Sequence, residues 1–425
     1  MRRFTSIGKI GLLFTALLSL LSARMAFADH PPPYEPMQVV VRLASPQSSD
    51  LTIINQVYGT TTLMSLYNRE DIFLLQAPAG TSAEALVQLM ENDPLLEYAE
   101  LNYLTEDPES GSTNRIYGWG TYSNYHGQGV TTAMQLEDAH AQSSGAGAVI
   151  AILDSGVQMN HPELAGSLSV LGFDFVDSDP IPEDTANGLD DDGDGLVDEG
   201  YGHGTHVAGI VHMVAPGATL LPLRVLNSDG RGNEFKTATA ILYAAYNGAD
   251  VINLSLGTAA PSALLRDAVS EAAEMGVVVV AASGNMNSSV RQYPAAESCA
   301  IAVTSVNDER EKSRFSNYGT WVGVAAPGER IYSTFPTSGF ASSSGTSMST
   351  PFVAGQAALL RSEDPDLSLD DIGQLIGGTA QPLPEPEFRG LLGKGQIDIL
   401  ASLQHLAADT WSFPEQNLFA DCTPD

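Results

Sequence analysis

Three short segments each carry a side chain that could take part in the hydrolysis of an amide bond. Asp154 ends an apolar run in ILDSGV, His203 opens HGTHVAG, and Ser347 lies in GTSMSTP. Hydrolysis of an amide at neutral pH needs a nucleophile, a base that takes its proton and returns it to the leaving amine, and a group that orients the base. A serine, a histidine and an aspartate can fill these roles if the fold brings them together.

Each of the three residues lies at the end of a predicted element. Asp154 follows an apolar strand at residues 149–153, while His203 and Ser347 begin helices. Ligands of open α/β sheets bind in the crevice beyond the carboxyl ends of the strands. We therefore expect the three side chains to meet at that edge.

The chain from residue 148 onward alternates strand and helix patterns. Further strands are predicted at residues 220–225, 251–254, 277–282 and 300–304, and helices at residues 234–246, 262–275, 348–361 and 369–376. The strands are apolar without alternation, so both of their faces should be buried. This pattern predicts an α/β fold with three layers, in which helices cover both sides of a parallel sheet.

The three motifs, in the order Asp, His, Ser, resemble the signatures of the subtilisin-like serine proteases, the subtilase family. The resemblance extends over roughly residues 135–400, which we take as the peptidase domain. It implies that Ser347 is the nucleophile, His203 the general acid and base, and Asp154 the carboxylate that holds the imidazole in its useful tautomer. His206, one helical turn after His203, is then not the base.

The same resemblance implies the residues that bind the substrate. Asn285, in VVVVAASGN, matches the residue whose side-chain amide forms the oxyanion hole together with the Ser347 backbone N–H. The segment that pairs with an extended substrate backbone is matched by Ser255, Leu256 and Gly257. One wall of the primary specificity pocket is matched by Ala282, Ser283 and Gly284. Met286, immediately after Asn285, indicates an apolar lining, so we expect a preference for large apolar or aromatic residues before the scissile bond.

An acidic insertion, residues 182–200, separates the first two motifs and holds eight acidic residues and no basic one. Its alternating carboxylates have the oxygen-rich spacing of a calcium loop, although the terminal glutamate of the helix-loop-helix pattern is missing. Similar insertions occur in calcium-stabilised subtilases. The prediction is a structural calcium site; the alternative is a solvated acidic loop. The candidate ligands are Asp190, Asp192, Asp194 and Asp198.

The N-terminal residues predict a secretory signal peptide at residues 1–28. Arg2, Arg3 and Lys9 precede an apolar run over residues 10–21, and cleavage is expected after Ala28. No second long apolar segment follows, so we expect a secreted protein, extracellular or periplasmic, without a membrane span.

Residues 29–104 show the order βαββαβ of a small ferredoxin-like α+β unit. Strands are predicted at residues 37–44, 62–66, 72–76 and 95–103, and helices at residues 48–58 and 82–91. The family resemblance implies an inhibitory pro-domain whose last strand, EYAELNYL, leads into the substrate groove. A permanent accessory domain is the alternative. Residues 105–134 are taken as a linker and N-terminal segment, because residues 105–121 are rich in residues that break regular structure.

The charge of the chain limits the classes of molecule that it could bind. With 19 basic and 51 acidic residues the formal charge is −32, which opposes binding to nucleic acid or anionic lipid. We expect a monomer whose partners are protein or peptide substrates and its own pro-domain. Cys299 and Cys422 could form one disulfide bridge or remain two thiols. The last residues, 401–425, are expected to form an irregular tail.

The sequence argues against several other functions. A lipase would need a GxSxG nucleophile elbow and a zinc protease an HExxH motif, and both are absent from the sequence. Sedolisins use a glutamate as base and an aspartate near the oxyanion, where this chain has His203 and Asn285. A catalytically inactive, peptide-binding relative is the remaining alternative, and the intact set of catalytic residues argues against it.

His161 also follows Asp154 closely, in NHPEL. Its functional interpretation is a metal ligand or a second base, and its structural interpretation is a histidine that stabilises a turn. The structural interpretation is favoured.

Overall fold

The computed structural model describes residues 32–45, 47–109, 116–409 and 411–422. The predicted signal peptide, residues 1–28, lies outside these residues. Among the helices that are described, none combines the length and the apolar character needed to cross a bilayer.

An N-terminal subdomain, residues 34–106, has the predicted order βαββαβ. Its elements are β1 (Tyr34–Leu43), α1 (Ser48–Tyr58), β2 (Thr61–Ser65), β3 (Ile72–Gln76), α2 (Ala83–Met90) and β4 (Leu96–Glu106). The strands pair antiparallel in the order β2-β3-β1-β4. Apolar residues such as Val39, Val41 and Leu86 form a small core between the sheet and its two helices.

A connecting segment follows, and the prediction of an irregular linker over residues 105–121 is wrong at both ends. Residues 105 and 106 complete β4, and residues 116–120 form a strand. These short stretches are ordered because the neighbouring edges offer backbone partners that a sequence pattern does not show. The new elements are β5 (Ile116–Gly120), α3 (Tyr122–His126), α4 (Gly129–Ala133) and α5 (Leu136–His140).

Seven parallel strands form the central sheet, which confirms the predicted fold class. These strands, together with a short one that joins another sheet, are β6 (Val149–Asp154), β7 (Phe173–Asp174), β8 (Thr219–Arg224), β9 (Arg231–Asn233), β10 (Val251–Leu254), β11 (Val278–Ala282), β12 (Ala300–Val306) and β13 (Val324–Pro327). The sheet order is β13-β12-β11-β10-β6-β8-β7, and β9 instead pairs with β4. A separate antiparallel sheet contains β14 (Ile331–Phe335), β15 (Gly339–Ser343) and β5.

Helices cover both faces of the central sheet. Their bounds are α6 (His203–Val214), α7 (Glu234–Tyr246), α8 (Ala263–Glu274), α9 (Thr346–Glu363), α10 (Leu369–Thr379) and α11 (Ile399–Ala407). Alternate residues of β6 point to opposite faces: Ile150 and Ile152 pack with α6 and α9, whereas Ala151 and Leu153 pack with α7 and α8. Burial on both faces explains why this strand is apolar throughout.

The C-terminal tail differs from the prediction. The expectation of an irregular segment over residues 401–425 is wrong for residues 401–407, which belong to α11. Leu403 and Phe419 are buried in the core that includes α9 and α10. Cys299 and Cys422 form a disulfide bridge, which ties the tail to the start of β12.

The N-terminal subdomain lies against α7 and α8. The Glu100 carboxylate accepts hydrogen bonds from the backbone N–H groups of Ala263 and Leu264, at 3.0 and 2.8 Å, and so caps the start of α8. Arg42 donates to Asp267 on the same helix at 3.0 Å. A carboxylate at a helix N-terminus is favourable because the helix dipole and the free N–H groups meet it.

Candidate active site

Asp154 and His203 are in direct contact at the predicted edge of the central sheet. Asp154 is the last residue of β6 and His203 the first of α6. His203 Nδ1 lies 2.6 Å from Asp154 Oδ1, which also accepts a hydrogen bond from the Ser155 backbone N–H at 2.7 Å. Both side chains are buried. The contact leaves the other ring nitrogen of His203, Nε2, facing away from Asp154.

Ser347 lies in the first turn of α9, and its hydroxyl faces the same site. Among the described residues it makes no direct hydrogen bond to His203, because the Glu109 carboxylate lies between the two. Glu109 Oε2 is 2.7 Å from Ser347 Oγ and 3.2 Å from His203 Nε2. The nucleophile and base candidates therefore converge on one oxygen atom.

Asn285 contacts the other oxygen of the same carboxylate. Its Nδ2 donates to Glu109 Oε1 at 2.8 Å, while its own Oδ1 accepts from the backbone N–H and the hydroxyl of Thr346, both at 2.9 Å. Thr346 thus fixes the amide so that its NH₂ group points towards Glu109 Oε1. This is the arrangement needed to donate a hydrogen bond to an oxyanion.

The charges in this cluster are coupled. Burial alone would lower the pKa of His203, but Asp154 and Glu109 outweigh burial and raise it well above 6.5. Burial opposes ionisation of Glu109 too, yet His203 and the hydrogen bonds from Ser347 and Asn285 keep the pKa of Glu109 below 4.5. The imidazole of His203 thus lies between two carboxyl groups that both favour its protonated form.

A groove beside the catalytic cluster holds the end of β4. Glu106 and Gly257 exchange two backbone hydrogen bonds of 2.9 Å, and residues 104–106 pair on the other side with β9. Ser255 is buried and its hydroxyl donates to the Ser347 carbonyl at 3.0 Å. One of the two predicted substrate-binding segments therefore pairs with an extended chain.

The other predicted segment, Ala282, Ser283 and Gly284, follows β11 and is buried beside Asn285. The Gly284 N–H donates to Thr346 Oγ1 at 3.1 Å, and the Ser283 carbonyl accepts from Asn317 at 2.8 Å. Met286, 58% exposed, lies at the surface beyond them.

Comparison with known proteins assigns the family. A model described as "Subtilase family" matches residues 145–395, more than half of the chain. The chain belongs to the subtilase family. A second model, "Fervidolysin N-terminal prodomain", matches residues 23–102 of this subtilase.

Individual relatives agree with this assignment. Thermitase from Thermoactinomyces vulgaris is 46% identical over 260 residues, which cover 59% of this chain and 87% of thermitase. A thermophilic serine proteinase from Bacillus sp. (strain AK1) is 41% identical over 293 residues, covering 66% and 67% of the two chains. The crystal structure of fervidolysin from Fervidobacterium pennivorans has a similar fold, with a TM-score of 0.71 and 23% identity over 87% of this subtilase; this subtilase spans 61% of that chain. The chain is thus a subtilisin-like serine protease with a prodomain.

The acidic insertion brings three of the four candidate metal ligands of this subtilase together. Carboxylate oxygens of Asp190, Asp192 and Asp194 lie within 4.8 Å of one another. Asp198 lies outside this cluster, and its two oxygens accept hydrogen bonds from the backbone N–H groups of residues 187 and 188 at 2.7 and 2.8 Å. The set of oxygens in the three-residue cluster suits a hard cation such as calcium.

Two histidines near the site of this subtilase have structural contacts. His161 Nε2 lies 3.0 Å from the Gly339 carbonyl, and its Nδ1 accepts from the Glu163 N–H at 3.2 Å. His206 Nε2 lies near the carbonyls of Ile331 and Ala341, and burial lowers its pKa to about 4. These contacts agree with the structural interpretation of His161 and leave His206 neutral and turned away from Ser347.

Sequence reasoning missed two carboxylates of the subtilase site, Glu109 and Asp184. Asp184 is buried behind the start of α6, where it accepts hydrogen bonds from the Gly202 N–H at 3.1 Å and the Thr205 hydroxyl at 2.7 Å. Burial, opposed by these bonds, raises the pKa of Asp184 to about 7. Both residues lie in loops with many other acids, so no local pattern distinguishes them.

Proposed function

We propose that this subtilase is a secreted endopeptidase that hydrolyses peptide bonds in proteins through Asp154, His203 and Ser347. The observation that carries the proposal is the convergence of Ser347 Oγ and His203 Nε2 on one oxygen of Glu109, with Asp154 on the other side of the ring. An atom in the position of that oxygen lies within reach of both the nucleophile and the base, as a reacting group must.

The proposed reaction passes through an acyl-enzyme. Ser347 Oγ attacks the scissile carbonyl while His203 Nε2 takes the hydroxyl proton, and Asp154 stabilises the resulting imidazolium. Asn285 Nδ2 and the Ser347 N–H donate to the oxyanion. His203 then returns the proton to the departing amine. In the second half of the reaction, water gives a proton to His203 and attacks the acyl-enzyme. His203 then returns the proton to Ser347 Oγ, and the second product leaves.

The groove that binds residues 104–106 is the proposed site for the substrate residues before the scissile bond. Gly257 pairs with both backbone groups of Glu106, so a substrate would be recognised chiefly through its extended backbone. Ser255, Leu256 and Gly257 would form one edge and β9 the other. The segment Ala282–Gly284, beside the oxyanion donor, is the proposed wall of the specificity pocket.

The precursor is proposed to be autoinhibited by its own prodomain, which would be removed by cleavage within residues 105–134 after the signal peptide directs secretion. Support comes from the prodomain match and from the end of β4, which fills the groove. N-terminal sequencing of the secreted product tests this step. A mature chain that begins beyond residue 105 is expected, and a secreted chain that begins at residue 29 would favour a permanent accessory domain.

A calcium ion is proposed to stabilise the acidic insertion. Asp190, Asp192 and Asp194 would hold it, since their carboxylate oxygens cluster. Bound calcium would neutralise the repulsion between these carboxylates and stiffen the loop, without a part in the chemistry. The excess of acidic residues supports a monomer that does not bind nucleic acid.

The decisive experiment compares casein hydrolysis by the wild-type enzyme, Ser347→Ala and Ser349→Ala. Ser349 is the matched control because it is a buried serine on the same helix, two residues further along. Activity should be lost in Ser347→Ala, be retained in Ser349→Ala and be blocked by a sulfonyl fluoride in the wild type. Equal activity of all three would reject the proposed nucleophile, and an inactive wild type would favour a peptide-binding protein.

A further inference from the structure

The Glu109 side chain is buried in the catalytic centre. Its two oxygens accept hydrogen bonds from Ser347, Asn285 and His203, and only 4% of the residue is exposed. A side chain at Gly345 would collide with Glu109 Oε1. The proposed catalytic groups thus contact both oxygens of this carboxylate, as the residues of a carboxylate-binding site would.

The backbone before Glu109 explains why a side chain, and not a continuing strand, meets the nucleophile. Glu106 pairs with Gly257, and the Asp107 N–H donates to the Gly230 carbonyl at 3.0 Å. The antiparallel register then sets Pro108 opposite Ser255. Proline has no N–H to donate to the Ser255 carbonyl, and the chain turns at residues 108 and 109. Pairing therefore stops just before the catalytic serine.

The charge of Glu109 acts on the base. His203 lies between two carboxylates: Nδ1 is 2.6 Å from Asp154 Oδ1 and Nε2 is 3.2 Å from Glu109 Oε2. An ionised carboxylate can only accept, so between two ionised carboxylates both ring nitrogens must donate. An imidazole that donates from both nitrogens is protonated and has no lone pair with which to take the proton of Ser347. Asp107 adds a further negative charge near the ring.

We propose that the catalytic centre of the precursor is a carboxylate-binding site, and that Glu109 keeps the enzyme inactive by occupying it. The carboxylate holds His203 in its protonated form and takes the hydrogen bond of Asn285 that an oxyanion would receive. This inference rests on the proposed roles of Asp154, His203 and Ser347. Self-cleavage then requires Glu109 to leave the site first. Acidic peptides that place a carboxylate in the same position would bind the mature enzyme.

The test in the full-length precursor uses Glu109→Gln and the matched control Glu106→Gln. Glu106 lies three residues earlier in the same groove, and its carboxylate contacts Arg231 and not the catalytic groups. We expect Glu109→Gln to raise the rates of self-cleavage and of Ser347 labelling by a fluorophosphonate roughly 10- to 100-fold, the factor for one charge-assisted hydrogen bond. Glu106→Gln should label at the wild-type rate. Equal rates for Glu109→Gln and wild type would overturn the proposal.

A second measurement does not depend on the folding of the variant. Two synthetic peptides spanning residues 98–109, both with an amidated C-terminus, carry Glu or Gln at position 109 and are tested as inhibitors of mature wild-type enzyme. The Glu peptide should bind roughly 10- to 100-fold more tightly. Equal inhibition constants would reject the carboxylate site.

An NMR titration separates this role from a structural one. In the uncleavable Ser347→Ala precursor, Glu109→Gln should lower the pH at which His203 loses its second ring proton. If Glu109 had only a structural role, that pH would not change. Failure of the proposed function looks different: the mature enzyme would neither hydrolyse casein nor react with the fluorophosphonate. An active mature enzyme with unchanged Glu109→Gln rates would reject the Glu109 proposal alone.

Discussion

His203 Nδ1 lies 2.6 Å from Asp154 Oδ1, and the contact joins the end of one core strand to the start of one core helix. The Ser155 N–H holds the same oxygen at 2.7 Å. Because both residues belong to packed elements, the orientation of the imidazole is set by the fold and not by a mobile loop.

Replacement of Asp154 by Asn tests this contact. Asn at residue 154 can offer an N–H to Nδ1 and so favour the wrong tautomer of His203, in which Nε2 cannot take the serine proton. We expect kcat of the mature enzyme to fall about 10⁴-fold with little change in KM. The measurement is steady-state hydrolysis of a peptide substrate, with circular dichroism to verify folding. A loss below about tenfold would mean that Asp154 does not orient the base.

Asp184 should make stability depend on pH. Burial raises its pKa from 3.8 to about 7, so the native protein keeps a proton that the unfolded chain releases. This contribution to the free energy of unfolding is complete below pH 3.8 and is lost as pH rises to about 7. In the Ser347→Ala background, the stability difference between Asp184 and Asp184→Asn should fall by about 1.4 kcal/mol per pH unit within that window.

The control for this titration is Asp308→Asn, because the side chain of Asp308 is 70% exposed. This variant measures the effect of removing one exposed carboxylate. A flat curve for Asp184→Asn would show that this buried carboxyl group titrates at the same pH in the folded and unfolded chains.

Removal of calcium should destabilise the enzyme through the acidic insertion. Without a cation, Asp190, Asp192 and Asp194 repel one another across less than 4.8 Å. We expect a chelator to lower the Tm of the Ser347→Ala protein and calcium to restore it, whereas Asp192→Asn should respond less. Asp198→Asn should respond to calcium as the unmutated protein does, since Asp198 lies outside the cluster of three carboxylates. An identical Tm with and without chelator would reject the site.

The bridge between Cys299 and Cys422 should add measurable stability. It joins residues 123 positions apart, so it restricts a long loop of the unfolded chain. Cys422→Ser should lower the free energy of unfolding by about 2 to 4 kcal/mol in denaturant titrations. Reductant should produce a similar loss in the Ser347→Ala protein and no further loss in the variant. If reductant destabilised both equally, the effect would not come from this bridge.

Local patterns were sufficient for the elements of the core, and they supplied the three residues that we propose as catalytic. β6 is apolar on both faces because both faces are covered, and its sequence predicts residues 149–153 of the observed strand Val149–Asp154. The prodomain helix Ser48–Tyr58 was predicted with its observed bounds, since its amphipathic pattern is local. The strand Arg231–Asn233 was not predicted, because it exists only through pairing with Leu104–Glu106.

The sequence by itself determined the fold class, the family and the residue types able to cleave an amide, because these depend on short motifs and on periodicity. Only the tertiary structure decided what lies between those residues. Glu109 is one acid among many in a segment that the sequence predicts to be a linker. Its role depends on backbone pairing that stops at Pro108 and on three hydrogen-bonding partners from distant elements. Asp198 illustrates the reverse case, since its spacing suited a metal but the fold places its carboxylate outside the cluster formed by the other three candidates. Side-chain contacts between residues far apart in sequence leave no periodic signal, and such contacts define this site.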